Sequence, residues 1–430
     1  MIRALRHRTY RTLFVAQVVS LLGSGLATVA LGLLAYDLSG SRASLVLGAL
    51  FAVKMVAYVV VAPLAAAALR SVPRRTVMVA SDLVRVAVAC TLPFVAHTWQ
   101  IFVLVFVLQA ASAAFIPTYQ ATLPRVLPDE DDYTGALSLS RLVEDLETIG
   151  SPLIAALLLL VVPVSGLFFG TALGFAASAV LVLSVALPAV RGRTQPGEQH
   201  HPSEEEPEEP WGRRARQGML LFFRTPALRP VLLLNLTVAA AVAFVLVQTV
   251  VIVRADLGLS ESWVPVFLAV NGAGAIAAAV LLGRVIGRVG ERRLMLTAGA
   301  ALALLTAVAG FVLWGQGART GVAAVAIGVL WLAIGLGWSF AETPMGRIIK
   351  RSVPSEQLDQ AYAAQFSLSH ACWLVTYPLA GVLGQMGLDV AAWTLAAVAG
   401  VAAAAAAVVW PSSPESPDEE AVHLHERVAG

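Results

Sequence analysis

Twelve apolar stretches, each close to the 20 or so residues an α-helix needs to cross a bilayer, begin near Leu13, Ser44, Val77, Gln100, Thr134, Val164, Pro230, Ser262, Leu294, Gly321, Tyr362 and Val390. With 58% hydrophobic and only 13% charged residues, the chain cannot hold such stretches in water. The predicted fold is an all-α integral membrane protein with twelve transmembrane helices, whose backbone polar groups are satisfied within each helix. The first stretch follows Arg3, Arg6, Arg8 and Arg11 and so imitates a secretory leader. Its apolar part runs on to Tyr36 and further spans follow, which reads as an uncleaved helix.

The net charge of +2 says little, whereas the placement of positive residues says a good deal. An even number of spans puts both termini on one side. Loops on the other side hold only Arg42, Arg254 and Arg319, and Lys54, Arg85 and Arg141 fall within spans. The remaining 23 of the 29 Lys and Arg residues lie on the side of the termini, which the positive-inside rule makes cytoplasmic. These basic loops are orientation signals, so no nucleic-acid partner is expected. Cys90 and Cys372 both fall in spans and imply no disulfide.

A polar run rich in Pro, Glu and Arg interrupts the apolar pattern after the sixth span. The chain divides into a six-helix half over 1–188, a cytoplasmic linker over 189–229, a second six-helix half over 230–411, and a disordered cytoplasmic tail over 412–430. The halves repeat one another. VLPDE at Val126–Glu130 parallels SVPSE at Ser352–Glu356, and the interval from Pro128 to Pro152 equals that from Pro354 to Pro378. The fifth and eleventh spans are therefore counterparts, with Glu144 opposite His370; matching SLSR to SLSH instead sets Arg141 opposite His370.

Within the fifth span Arg141, Glu144, Asp145 and Glu147 crowd into seven residues. One ionised side chain at the bilayer centre costs on the order of 3 kcal/mol even on the mildest insertion scale. Arg141 can pair with Asp145 or Glu144 across one helical turn, leaving acids that need a cavity or a cation from another span. Lys54 in the second span is the candidate cation. Asp82 and Arg85 in the third read as a structural pair, and Asp37 and Glu342 as interfacial. Gln109, Tyr119, Asn235, Gln248, Asn271, Trp331, Trp338 and Trp373 are candidates for a cavity wall, although such residues more often pack or sit at interfaces.

Several patterns resolve to packing. NGAGAIA at Asn271–Ala277 spells a dinucleotide motif but lies within a span, and GLFFGTALG at Gly166–Gly174 sets small residues every fourth position for close helix approach inside a monomer. NLT at Asn235 is a glycosylation spelling inside a span. Neither Lys54 nor Lys350 belongs to a P-loop, so movement of solute would be gradient-driven or passive.

Two six-span halves, a long central linker and a basic loop after the second span of each half resemble the major facilitator superfamily. The loop AAALRSVPRR at Ala66–Arg75 and its counterpart GRVIGRVGERR at Gly283–Arg293 are similar to that family's loop signature. Gly283, Arg288, Gly290, Arg292 and Arg293 match it, whereas Arg70 and Gly287 stand where the family has an acid, a gap that Asp82 and Arg85 would fill. SDLVR at Ser81–Arg85, GALSLSR at Gly135–Arg141 and SPLIAALL at Ser151–Leu158 look most like drug-exporter-type, drug:proton antiporter members. The resemblance implies a monomeric, multi-pass transporter of the inner or plasma membrane, with a small-molecule substrate and no cofactor.

The leading expectation is proton-coupled efflux of a small amphipathic compound by alternating access. Glu144 is the expected coupling acid, Glu147 its reserve and His370 a second protonation site, while Lys54, Arg141 and Asp145 tune the acid. One alternative is a divalent transition-metal exporter using Glu144, His370 and Cys372, although no strong metal motif is present. Another is a non-transporting receptor or scaffold that binds partners through the Glu-rich linker. No metal-hydrolase motif or GxSxG points to an enzyme.

Overall fold

A computed structural model describes residues 2–61, 64–65, 68–69, 72–127, 129–185, 219–314, 320–354 and 357–411. Some side chains inside helices, including those of Arg141, Glu144 and Asp145, lie outside that description, as do residues 189–218 of the expected linker and the expected tail. The described residues form helices joined by short turns. They are α1 (Arg8–Ser39), α2 (Ala43–Val56), α3 (Arg74–Thr91), α4 (Thr98–Val126), α5 (Glu130–Leu158) and α6 (Val164–Leu183). After the linker come α7 (Arg229–Val251), α8 (Trp263–Val289), α9 (Glu291–Leu313), α10 (Thr320–Glu342), the short α11 (Met345–Ser352), α12 (Leu358–Met386) and α13 (Leu388–Val409).

Ten stretches among the described residues are long and apolar enough to cross a membrane. The first, Arg8–Val61, holds both α1 and α2, because only a 3-10 turn at Gly40–Arg42 separates them. α5 is not among the ten: Arg141, Glu144, Asp145 and Glu147 keep its polar content above that of an ordinary span. Residues 219–228, assigned to the linker from sequence, are mostly helical. Phe222 and Leu228 are fully buried there, which gives this end of the linker a reason to dock.

With lipid as solvent, helices associate by close packing rather than by a hydrophobic effect, and small residues set the contacts. A Cβ on Gly174 would meet the Val19 carbonyl at 3.0 Å and Gly23 Cα at 3.2 Å, so α6 lies directly on α1 within the same chain. Gly274 of α8 presses against the Leu332 carbonyl of α10, and Gly335 of α10 against the Asn271 carbonyl. The two motif-like patterns noted above therefore serve helix packing. Gly290 carries φ 81°, a left-handed conformation that turns α8 sharply into α9.

Two seams join α1–α6 to α7–α13. One is α2 against α12, the other α5 against α8, and α1 also touches α7. Exchanging the halves maps the first seam onto the second, in agreement with the sequence repeat; Pro152 and Pro378 lie inside α5 and α12.

The apolar core is not evenly shared across these seams. Away from the termini one cluster unites both halves, running from Leu26, Leu47 and Phe168 through Phe244, Val250 and Tyr377. On the side of the termini it gives way to two separate clusters. Tyr10, Met78, Phe115 and Leu123 belong to the first half alone, and Phe222, Met295, Ile348 and Ile349 to the second. Among the described residues, the buried apolar core is shared by the halves at one end and divided between them at the other.

Candidate functional site

The α2–α12 seam brings together a group of polar and aromatic side chains at depth. Phe51, Lys54 and Tyr58 share one face of α2, the last where α2 passes into a π-helical turn at Ala57–Val61. On α12, Phe366, His370, Trp373 and Tyr377 follow the i, i+4, i+7, i+11 spacing of a single stripe. Phe51 stacks on Tyr377 with centroids 4.9 Å apart, and Tyr58 meets His370 edge-on at 6.1 Å. The Lys54 ammonium lies 6.0 Å from the Tyr58 ring centroid. Lys54 and Phe51 also line a small cleft with Thr28, Gly32 and Gln109.

Sequence reasoning picked out Lys54 and His370 separately, and the fold sets them on either side of Tyr58. The His370 Nδ1 is 2.7 Å from the Phe366 carbonyl, and its ring lies 3.9 Å from the Phe366 ring. Glu147 is half-buried; its Oε1 occupies the notch left by the missing side chain of Gly25, beside Ser151. Arg141, Glu144 and Asp145 are carried by α5, and their side chains lie outside the described residues.

Asp82 and Arg85 form a buried ion pair, with side chains 0% and 3% exposed. The Arg85 guanidinium is held between the Phe115 and Phe175 rings, 4.5 and 4.4 Å from their centroids, and donates to Ser20 Oγ at 3.1 Å. The pair thus ties α3 to α1, α4 and α6. It is not the substitute for the loop acid that the sequence suggested, because both charges are consumed inside the helix bundle.

That acid is present elsewhere. Arg288, Arg292 and Arg293 of the loop motif are exposed, as are Gly283 and Gly290. Glu291, immediately after Gly290, reaches Arg347 at 2.9 Å and Arg351 at 2.6 Å on α11. In the first half the corresponding tie runs from the N-terminal segment: Arg3 and His7 meet Asp132 at 3.2 and 3.0 Å. Sequence reasoning missed Glu291; the signal was an acid flanking the turn glycine and arginines four apart in MGRIIKRS.

The candidates for a cavity wall divide. Trp331 is fully buried and donates to Thr249 Oγ1 at 2.7 Å, while Asn271 donates to the Trp331 carbonyl at 2.9 Å. These two are packing residues, as are buried Tyr119 and Asn235. Gln248, also buried, accepts from Ser44 Oγ at 2.8 Å and donates to the Ala380 carbonyl at 2.7 Å, clamping α2, α7 and α12 at the joined end. Trp338, Trp373 and Gln109 remain half-exposed.

Among the described residues no group of three or more His, Cys, Asp and Glu side chains could hold a metal ion. His370 and Cys372, two apart on a helix, point away from each other, so the proposed metal path loses one of its ligands.

Two apolar-helix halves around a seam of buried polar and aromatic groups define a multi-pass membrane transporter, and comparison with known proteins agrees. Residues 13–373 match the Major Facilitator Superfamily profile, and the chain belongs to that family. It is 25% identical to the "Uncharacterized MFS-type transporter YfiS" of Bacillus subtilis over 391 residues, 89% of this chain and 86% of the relative. Macrolide efflux protein A of Streptococcus pyogenes is 25% identical over 191 residues, 43% of this chain and 46% of that protein. Among solved structures, a bacterial homolog of the human lysosomal transporter Spinster, in an inward-facing and unoccupied conformation, superposes with a TM-score of 0.73. It covers 95% of this chain and 99% of its own at 12% identity. The nucleoside transporter NupG (D323A mutant) gives 0.72, also at 12% identity, over 94% of this chain and 100% of its own. At such identities these structures speak for the fold alone.

Proposed function

We propose that the chain is a proton-coupled exporter of small amphipathic compounds, working as a monomer in the plasma membrane by alternating access between two halves. In this reading it crosses the bilayer twelve times: α1 and α2 divide the first long apolar stretch, and α5 inserts despite its charges. Both termini are cytoplasmic, in keeping with the arginine-rich loops on that side. The halves extend over 1–188 and 230–411, joined by a cytoplasmic linker.

The observation that carries the proposal is the uneven core. Among the described residues, one cluster joins the halves away from the termini, and two separate clusters divide the core on the other side. A rigid-body rocking that packs the divided end together and opens the joined one is alternating access around a fixed central site. The α2–α12 seam offers that site aromatic surface and the Lys54 ammonium, and the acids are carried by α5, which packs on α1 and α8. Glu144 takes up and releases the coupling proton, with Glu147 in reserve and His370 as a second protonation site, while Lys54, Arg141 and Asp145 set the affinity. The macrolide efflux relatives support export as the direction.

The direction is tested in inverted membrane vesicles energised by a proton gradient. Export predicts accumulation of an amphipathic fluorescent compound inside, abolished by a protonophore. Accumulation instead in right-side-out vesicles carrying an inward gradient would overturn it.

A further inference from the structure

The α12 stripe changes steadily along its length. Tyr377 is buried in the shared core, Trp373 and His370 are half-exposed, and Phe366 at the far end is 51% exposed. At 1.5 Å per residue this series covers about 16 Å, running from the end where the halves share a core towards the end where the core is divided. It is not an isolated stripe. Trp338 of α10 meets Trp373 edge-on at 6.4 Å, Trp373 lies 5.1 Å from Tyr377, and Phe51 and Tyr58 face it from the other half. The Trp338 indole N–H is anchored by the Glu342 carboxylate, which fixes the plane of its ring.

His370 and Trp373 each have two ring neighbours and are only partly buried, so ring surface remains on which a further planar group could stack. Offset-stacked and edge-to-face pairs add about 0.5–1.5 kcal/mol beyond the area they bury. Lys54, and Gln109 in the adjoining cleft, supply hydrogen-bond donors at the edge of that surface.

We propose that Tyr58, Trp338, Phe366, His370 and Trp373 form the substrate slot and select planar aromatic compounds bearing an acceptor oxygen, a carbonyl or carboxylate, that Lys54 engages. The proposal rests on the transporter reading above and narrows its substrate class. It separates this chain from its macrolide efflux relatives, since a macrolactone has no flat aromatic face to insert.

The test is equilibrium binding of fluorescein, a dye whose planar xanthene carries phenolate and carbonyl oxygens, to the purified full-length protein in detergent, read by polarisation without any proton gradient. The slot predicts saturable binding, weakened at least tenfold in Trp373→Leu and in Tyr58→Leu, largely restored in Trp373→Phe, and weakened in Lys54→Met. Trp314→Leu, at an exposed tryptophan outside the slot, should bind as wild type. Naphthalene-2-carboxylate should compete, and erythromycin should not. Equal affinity in wild type and a well-folded Trp373→Leu, displacement by erythromycin, or no saturable binding to wild type would each overturn the slot. Because no gradient is involved, these outcomes leave proton coupling to be judged separately.

Discussion

Gly48 of α2 and Gly381 of α12 touch backbone to backbone across the seam: a Cβ on Gly48 would meet Gly381 Cα at 2.8 Å, and one on Gly381 would meet the Ser44 carbonyl at 2.8 Å. No other residue type permits this approach, and the Ser44–Gln248–Ala380 bonds lie beside it. A Gly381→Leu side chain should therefore wedge the joined end apart. With Cys90 and Cys372 replaced by Ala, a cysteine placed at Ser44 should react several-fold faster with a membrane-impermeant maleimide in the Gly381→Leu background. Equal rates would mean that this contact does not hold the end closed.

The Asp82–Arg85 pair predicts a different kind of loss. Removing one partner of a buried ion pair strands the other charge and costs on the order of 3–5 kcal/mol, whereas replacing both with apolar groups is often neutral. Asp82→Leu and Arg85→Met should each lower the melting temperature in detergent strongly, and the double variant should recover most of it. Purely additive losses would contradict a self-contained pair.

Glu291 is the hub of the α11 tie, 9% exposed at its side chain, while Arg347 and Arg351 are 65% and 56% exposed. Solvent and salt screen such a pair, so Glu291→Gln should cost about 1 kcal/mol or less. Its local effect should be larger: amide exchange across Met345–Ser352 should quicken, and high salt should produce the same change in wild type. Unchanged exchange would assign the position of α11 to Ile348 and Ile349 alone, which are buried.

The elements that local pattern determines were legible in the chain. A run of apolar residues long enough to cross a bilayer must satisfy its own backbone, so helices α1 to α10, α12 and α13 could be placed from composition. The correspondence of α5 with α12 could be read from Pro152 and Pro378. Lys54 and His370 were recognisable one at a time, because charge at depth is costly. Their meeting across Tyr58 was not, since it depends on which helices pair.

The same limit explains why the candidates for a cavity wall could not be sorted one from another. Gln248 and Trp331 look alike as polar groups in apolar runs, yet Trp331 bonds Thr249 on α7 while Gln248 clamps α2 and α12. Partners 82 and 204 residues away leave no mark on the local sequence. Glu291 escaped for another reason: the loop signature directed attention to the position of Gly287, and the acid stands four residues later.

The central claim is that solute movement is coupled to protons through the acids of α5, and it is tested most directly in proteoliposomes. Wild type, Glu144→Gln and Glu147→Gln would be reconstituted with an internal pH dye under an imposed pH gradient, and planar aromatic compounds and macrolides added in turn. The account predicts compound-dependent proton movement in wild type, abolished in Glu144→Gln with expression and melting temperature preserved, and retained in Glu147→Gln. Coupling that survives in Glu144→Gln would remove that residue from its role, and no proton movement with any compound would contradict proton-driven transport.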